Sequence, residues 1–421
     1  MRMRRAAELA ALLVVLATSA RAQVPYDAAV KGLSSSDPKV RLRSAELLKE
    51  SAYVDSAVPL AKLISDPDNA VQQEAIAAEV SIFSAGKIAP RHVGIITIED
   101  RTRSGAQALF DAGPLMLGAA RVPDAVLLPL RQATRDDSPK VSLDALYAFG
   151  ALGSQLTGRA RAALLQTSAA DLSVLLSLPD PALRLAAVRV IGRLYQKHAG
   201  DAPVPQQLGN LVIAAVNENE QAMKFAAMDA LGAIRETRAV GGLTDLFQFY
   251  GKGDLAEHAL TALARIGDNS SAPLFLKLLA GKTAMKIIAI EGLARTGDAS
   301  HMAAIQGALK GERDDRVIAA SDFAAAMLSN APIESLVDAL NRSKQHDAAL
   351  EYLIEISPGR ITRLSRYAQD PLPRMRIDIA DIVALADDPQ GVSVVEPLLM
   401  DKDKQVALAA ERAAMRLKSD R

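Results

Sequence analysis

A chain of 421 residues has room for about two or three ordinary domains, but half of its residues are apolar while only 4% are aromatic and none is Trp. That describes a core of small aliphatic side chains, and the absence of Cys excludes disulfides, thiolate metal sites and thiol catalysis. Lys plus Arg equals Asp plus Glu at 49 each, so no net field steers the chain toward nucleic acid or an anionic membrane, and neither is an expected partner.

The chain opens MRMRRAAELAALLVVLATSARA: a basic start at Arg2, Arg4 and Arg5, an apolar run over residues 9–17, then Ala20-Arg21-Ala22. The apolar run is shorter than the ~20 residues that span a bilayer, and the small-x-small ending is that of a secretory signal peptide. The expectation is a signal peptide over residues 1–22, cleaved between Ala22 and Gln23. The product would be periplasmic or secreted, of bacterial type, with no membrane insertion after cleavage. Removing four Arg and one Glu leaves it a formal charge of −3.

Beyond that leader the chain repeats itself. Apolar residues that open amphipathic runs stand at Val40, Val71, Val141, Leu183, Met223, Leu255, Met285, Val317, Met375 and Val406. Two of the steps, of 70 and 58 residues, span about two periods, so weaker copies fall near Ser104 and Gln345, for about 12 units. Within a unit the apolar residues keep helical spacing, as in Val40, Leu42, Ala45, Leu47 and Leu48, or Leu183, Ala186, Ala187, Val190, Ile191 and Leu194. Asp37-Pro38, Ser138-Pro139 and Asp180-Pro181 predict helix starts, the polar side chain capping free amides and Pro fitting the first helical position. Gly192, Gly267 and Gly297 are expected as left-handed caps at the helix ends. A first helix precedes each of these runs. Pro59, Pro129 and Pro273, each 12 residues before the aligned apolar position and each followed by Leu, predict a shared kink or helix start within it. Two helices of about 11 residues and their turns account for the period.

Residues 259–268, ALTALARIGD, recur as AIEGLARTGD at 289–298, 30 residues on. The frame A-x-x-A-L-x-x-I-G-D, a polar spacer, P-L-x-x-L-L and D-P-x-V-R resembles the bacterial HEAT repeat, particularly the short variety named after phycobilisome chromophore lyases, over roughly residues 28–417. The resemblance implies an all-α fold: an α-solenoid of about 12 stacked antiparallel helix pairs over residues 23–421, a HEAT/armadillo-like superhelix with an irregular segment at about 84–105. It implies two functions, a scaffold for protein–protein interaction or, alternatively, a lyase-like or accessory enzyme.

Function in solenoids tends to sit on the concave face or in departures from the period. Residues 84–105 hold Gly86, Pro90, His92 and Gly94 followed by Ile95, Ile96 and Ile98, and read as a protruding binding segment or as a degenerate helix pair. Residues 154–170 and 195–207 read as lengthened turns. Lys or Arg directly follows the aligned apolar residue at Arg41, Arg184, Lys224, Lys286 and Arg376, and Arg193, Arg265, Arg295 and Arg416 stand ten positions after it. Stacking aligns these as columns: a basic stripe for an acidic partner, or an inter-repeat ladder in which each cation meets a carboxylate such as Asp229 or Glu291. The candidate partner-binding residues are therefore His92, Ile95, Ile96, Ile98, Arg184, Lys224 and Lys286.

Catalytic motifs do not assemble. Gly281-Lys282-Thr283 ends like a phosphate loop but has Leu276 where the first Gly belongs, and Gly251-Lys252-Gly253 falls at an inter-helix turn without a βαβ context. His92, His198, His258, His301 and His346 lack paired metal-ligand spacing. Glu257-His258 reverses the His-Glu dipeptide with which the deoxyhypusine hydroxylases, enzymes of the same repeat type, hold iron. The expectation is a non-enzymatic scaffold with a protein partner and with no cofactor, metal or catalytic residue.

Overall fold

In the computed structural model of the chain, which describes residues 26–85, 104–198 and 201–418, several helices begin at side chains that cap them, although Ser138 makes no such bond. The Asp37 carboxylate accepts the Lys39 amide at 2.9 Å with Pro38 in the first turn, and Asp180 accepts those of Ala182 and Leu183 at 2.8 and 3.2 Å ahead of Pro181. Asp268 and Asp298, the last residues of the two recurring segments, each cap the 3-10 turn that follows, at 2.9 Å to Ser270 and Ser300.

These helices stack as antiparallel pairs in a HEAT/armadillo-like α-solenoid, with no strand among the described residues. The second helices of the pairs form its inner layer: α1 (Pro38–Ser51), α2 (Asn69–Phe83), α3 (Gly105–Ala112), α4 (Pro139–Gly153), α5 (Pro181–Leu194), α6 (Gln221–Ala233), α7 (Asp254–Ile266), α8 (Thr283–Arg295), α9 (Asp315–Ser329), α10 (His346–Ile356), α11 (Pro373–Ala386) and α12 (Lys404–Lys418). The weaker copies near Ser104 and Gln345 are α3 and α10. Most outer helices are shorter, but Gly158–Leu176 runs for 19 residues and makes a helix of most of the stretch at 154–170 expected as a lengthened turn. Ala57–Ala61 tightens into a 3-10 turn at Lys62–Ser65, and Val392–Val395 does so at Glu396–Met400. The shared prolines take different places, Pro273 opening Ala272–Leu278 and Pro129 lying inside Asp124–Ala133.

Neighbouring inner helices approach closely through small residues. A Cβ on Gly192 would lie 3.1 Å from the Ala230 Cα, and one on Gly232 would lie 3.2 Å from the Ala262 Cα. Gly192, expected as a cap, is therefore a contact residue inside α5, because the helix runs on to Leu194. Gly267 does cap α7 in the left-handed conformation (φ 68°), and Gly297 adopts φ 74° one residue beyond the Thr296 cap of α8.

Two features depart from a regular open coil. First, α3 packs on α2 and α4, which also touch each other, and the outer helices Ala57–Ala61 and Asp124–Ala133 pack together directly. Among the described residues the third unit thus supplies an inner helix without an outer one. Residues 86–103, which carry His92, Ile95, Ile96 and Ile98, lie outside the described residues, as do residues 1–25. Second, the superhelix winds back onto itself. Thr157 Oγ1 donates to the Arg416 carbonyl at 3.2 Å, and Arg416 Nη1 to the Ser154 carbonyl at 2.9 Å, joining α12 to the turn after α4. His198, just past α5, meets Asp387 at the end of α11 at 3.3 Å. No helix of the described residues is long and apolar enough to cross a membrane.

Candidate functional site

The first basic column forms a ladder. Arg41 reaches Asp66 through Nε and Nη2 at 2.6 and 2.7 Å, while Nη1 donates to the Ser35 carbonyl at 2.9 Å. Arg184 repeats this on Glu218 (3.2 and 2.9 Å) and on the carbonyls of Leu178 and Pro179 (3.0 and 2.9 Å). Arg376 repeats it on Asp401 (2.7 and 2.8 Å) and on those of Asp370 and Pro371 (2.7 and 3.3 Å). Lys286 pairs with Glu312 at 2.6 Å. Three of the four rungs are bidentate guanidinium–carboxylate contacts, the geometry that gives such pairs direction as well as strength.

Each accepting carboxylate stands five residues before the next aligned apolar residue. Three of them also take the amide two residues on: Asp68 to Asp66 at 2.9 Å, Asp314 to Glu312 at 3.0 Å, and Asp403 to Asp401 at 2.8 Å. Burial pushes the Asp66 carboxyl up, but the Arg41 hydrogen bonds, the Asp68 amide and the Arg41 charge together outweigh it and hold the group below the usual range. The Lys286 hydrogen bond, joined by two backbone amides, holds Glu312 down at about 2. The acid at this fixed offset was the readable signal for the partners. Glu291, named from sequence, does meet a column cation, Arg295 of its own helix, at 3.2 Å, whereas Asp229 meets His258 at 3.2 Å. Lys224, half-buried, has Tyr250 at the offset where the four rungs carry an acid.

One rung is different. The residue after Val71 is Gln72, whose Nε2 donates to Asp136 Oδ2 at 2.9 Å and to the Ile64 carbonyl at 3.1 Å. Asp136 holds the usual carboxylate position, five residues before Val141, and takes the Ser138 amide at 2.9 Å. Gln72 is only 4% exposed, and its Oε1 has no hydrogen-bond partner. A cleft of about 380 Å³ opens here, lined among others by Ile64, Asp66, Gln72, Gln132, Asp136 and Asp137. Arg135 on its rim is turned to Asp171 at 2.8 Å.

In the second basic column Arg295 is engaged by the protein's own carboxylates. Arg295 sits between Glu291 (3.2 Å) and Glu355 (2.9 Å) and over the Phe323 ring, Arg235 meets Glu355 at 2.8 Å, and the Tyr352 hydroxyl donates to Glu291 at 2.5 Å. Burial opposes charge on Arg295, yet the two glutamates outweigh it and hold the guanidinium more firmly protonated than usual. Arg193 has weaker company. Burial and then Arg189 press it down to about 10, while it donates to the Phe110 carbonyl at 2.9 Å and covers that ring at 4.4 Å.

The described histidines are dispersed among carboxylates. Besides the two contacts above, His346 lies 2.9 Å from Asp347 and 3.1 Å from Asp378. No group of three potential metal ligands occurs among the described residues. Gly251 and Gly253 shape the turn before α7, and Lys282 is the residue that precedes α8.

Exposed apolar side chains gather around the N-terminal outer helices: Tyr53, Val54 and Val58 beside Leu128. Leu128 and Gln132 are one turn apart on Asp124–Ala133, so that helix presents an apolar residue and the cleft wall on one side.

No family model matches the chain, and no curated protein matches its sequence. Solved structures that align with it include an engineered protein of the Northeast Structural Genomics Consortium, at 20% identity, a TM-score of 0.44 and coverage of 94% of this chain and 99% of that one. The complex of CpcE and CpcF of phycocyanin lyase from Nostoc sp. PCC7120 aligns at 21% identity and a TM-score of 0.39, covering 59% and 94%. A designed armadillo repeat protein aligns at 16% identity and a TM-score of 0.37, covering 63% and 98%. All three scores are low, and none bears on what this chain binds.

Proposed function

We propose that this chain is an exported, non-enzymatic interaction scaffold whose working surface is the outer face of its N-terminal helix pairs. The observation that carries this reading is the grouping of exposed Tyr53, Val54, Val58 and Leu128 on and beside two outer helices that pack directly on each other. Apolar residues collected on a surface favour burial by a second molecule. The concave side, where an open solenoid would receive a partner, is taken up by contacts such as Arg295–Glu355 and Arg416–Ser154. The non-enzymatic reading is supported by the way potential acid–base groups are engaged with one another, as in His198–Asp387 and His346–Asp378. Export is supported by the basic start, short apolar run and Ala20-Arg21-Ala22 of the leader.

The test is affinity isolation from envelope extracts, with the native leader in place, of the unaltered chain and of a Val58→Glu, Leu128→Glu double variant. The unaltered chain should begin at Gln23 by N-terminal sequencing and bring down a stoichiometric protein partner, and the double variant, equally folded, should lose it. A chain that retains Met1 would overturn export. One that purifies alone, or a double variant that keeps its partner, would overturn the assigned surface.

A further inference from the structure

We propose that the cleft at Gln72 and Asp136 is a binding slot for a guanidinium cation, supplied by an arginine of the partner, which completes a rung of the ladder that lacks its cation. The proposal deepens the reading of an N-terminal docking face and rests on it for the source of the arginine.

At Asp66, Glu218, Glu312 and Asp401 a cation of the preceding repeat meets the carboxylate, and the Arg rungs also use nearby backbone carbonyls. Asp136 keeps the carboxylate and its amide contact, but the residue that reaches it, Gln72, is shorter and uncharged. Among the described residues, Arg41 is committed to Asp66 and Arg135, on the cleft rim, to Asp171. Asp136 and the adjacent Asp137 therefore leave the slot negative.

Among the described residues the space is bounded by α2 and α4, which touch each other. In a regular array an intervening pair would separate α2 from α4, and a full-length cation from that pair would reach Asp136. Here the turns before α2 and α4 face each other across the cleft. Gln72 adds an independent sign of a missing donor: it lines the cleft, is more than nine-tenths buried, and keeps Oε1 without a partner. A buried carbonyl oxygen left unpaired is costly, and native structures seldom tolerate it.

A guanidinium answers both needs, since its planar fork can place two N–H groups on Asp136 and a third on Gln72 Oε1. An anion is repelled, and a calcium ion would need about six to eight oxygens, whereas those of Asp66 are taken by Arg41. Leu128, one turn from Gln132 on the cleft wall, favours an arginine flanked by apolar residues.

Ile64 lines the slot, so its δ1 methyl group reports occupancy in a methyl-labelled sample of the chain from Gln23 onward. The probes are acetyl-Leu-Arg-Leu-amide, the same peptide with Gln for Arg, and ethylguanidinium. The Arg peptide should shift the Ile64 signal saturably and the Gln peptide should not. Asp136→Asn should weaken binding by about tenfold or more, the value of a charged hydrogen bond. Gln72→Arg, which supplies the cation internally, should abolish binding while raising the melting temperature. Ethylguanidinium binding as tightly as the Arg peptide would support the slot but overturn the peptide as its source. Absence of a saturable shift with either guanidinium probe, or undiminished binding to Gln72→Arg, would overturn the slot itself. Because these probes need no natural partner, a double variant at Val58 and Leu128 that kept its partner would count against the docking face without touching this result.

Discussion

Glu79 is a carboxyl with nothing to hold it. It is 0% exposed within α2, neither oxygen has a hydrogen-bond partner, and burial pushes its pKa well above the ordinary value of 4.5. In the unfolded chain the group ionises near 4.5, whereas the folded protein keeps it protonated to higher pH, so folding takes up a proton and stability falls as the pH rises above that value. The ladder carboxylates act with the opposite sign. Asp66 ionises more readily folded than unfolded, and its contribution, present above 3.8, is lost as the pH falls through its lower folded value. Glu79→Gln should therefore gain on the unaltered chain as the pH goes from 4 to 7, with the widening gap read from thermal midpoints. A gap that stays constant would mean the folded carboxyl ionises normally. Nothing in the sequence separates Glu79 from Glu46 or Glu74, which sit on similar helices at half-buried positions, because the difference lies in which face the neighbouring helices cover.

At the scale of the element, two helical glycines make opposite predictions. Gly192 lies where α5 meets α6, and a larger side chain there must move backbone, so Gly192→Val should cost about 1–3 kcal/mol as overpacking does. Gly307, in Met302–Ala308, would present a Cβ with nothing within 4 Å, so Gly307→Ala should gain about 0.5–1 kcal/mol through helix propensity. Urea unfolding of the two variants tests both signs. The contrast also marks what the sequence could disclose. Asp37, Asp180 and Gly267 act on their own few residues, and their roles were legible. Gly192 was misread as a cap because only a neighbouring helix distinguishes a cap from a point of contact. The column of Arg41, Arg184 and Arg376 was legible as a column, with the choice between stripe and ladder resting on carboxylates a whole repeat away. The slot at Asp136 was not legible, since it depends on α2 lying against α4, a contact between units that the period alone would have kept apart.

At the scale of the whole molecule, an open solenoid confines damage to neighbouring pairs. The contacts of Arg416 with Ser154 and Thr157 change that expectation. Deleting residues 402–421 should speed hydrogen exchange in residues 154–161 as well as in α11, and an effect confined to α11 would show that the closure carries no stability. The same closure has a mechanical meaning. From α4 to α12 the inner layer is a hoop, and strain applied at one pair travels round it in both directions, so the stretch that makes open coils springy is largely removed. The pairs of α1 and α2 extend from that hoop as an arm, and the Gln72 slot sits at its shoulder, where the tug of a tethered partner would be delivered to a stiff body instead of being lost in extension.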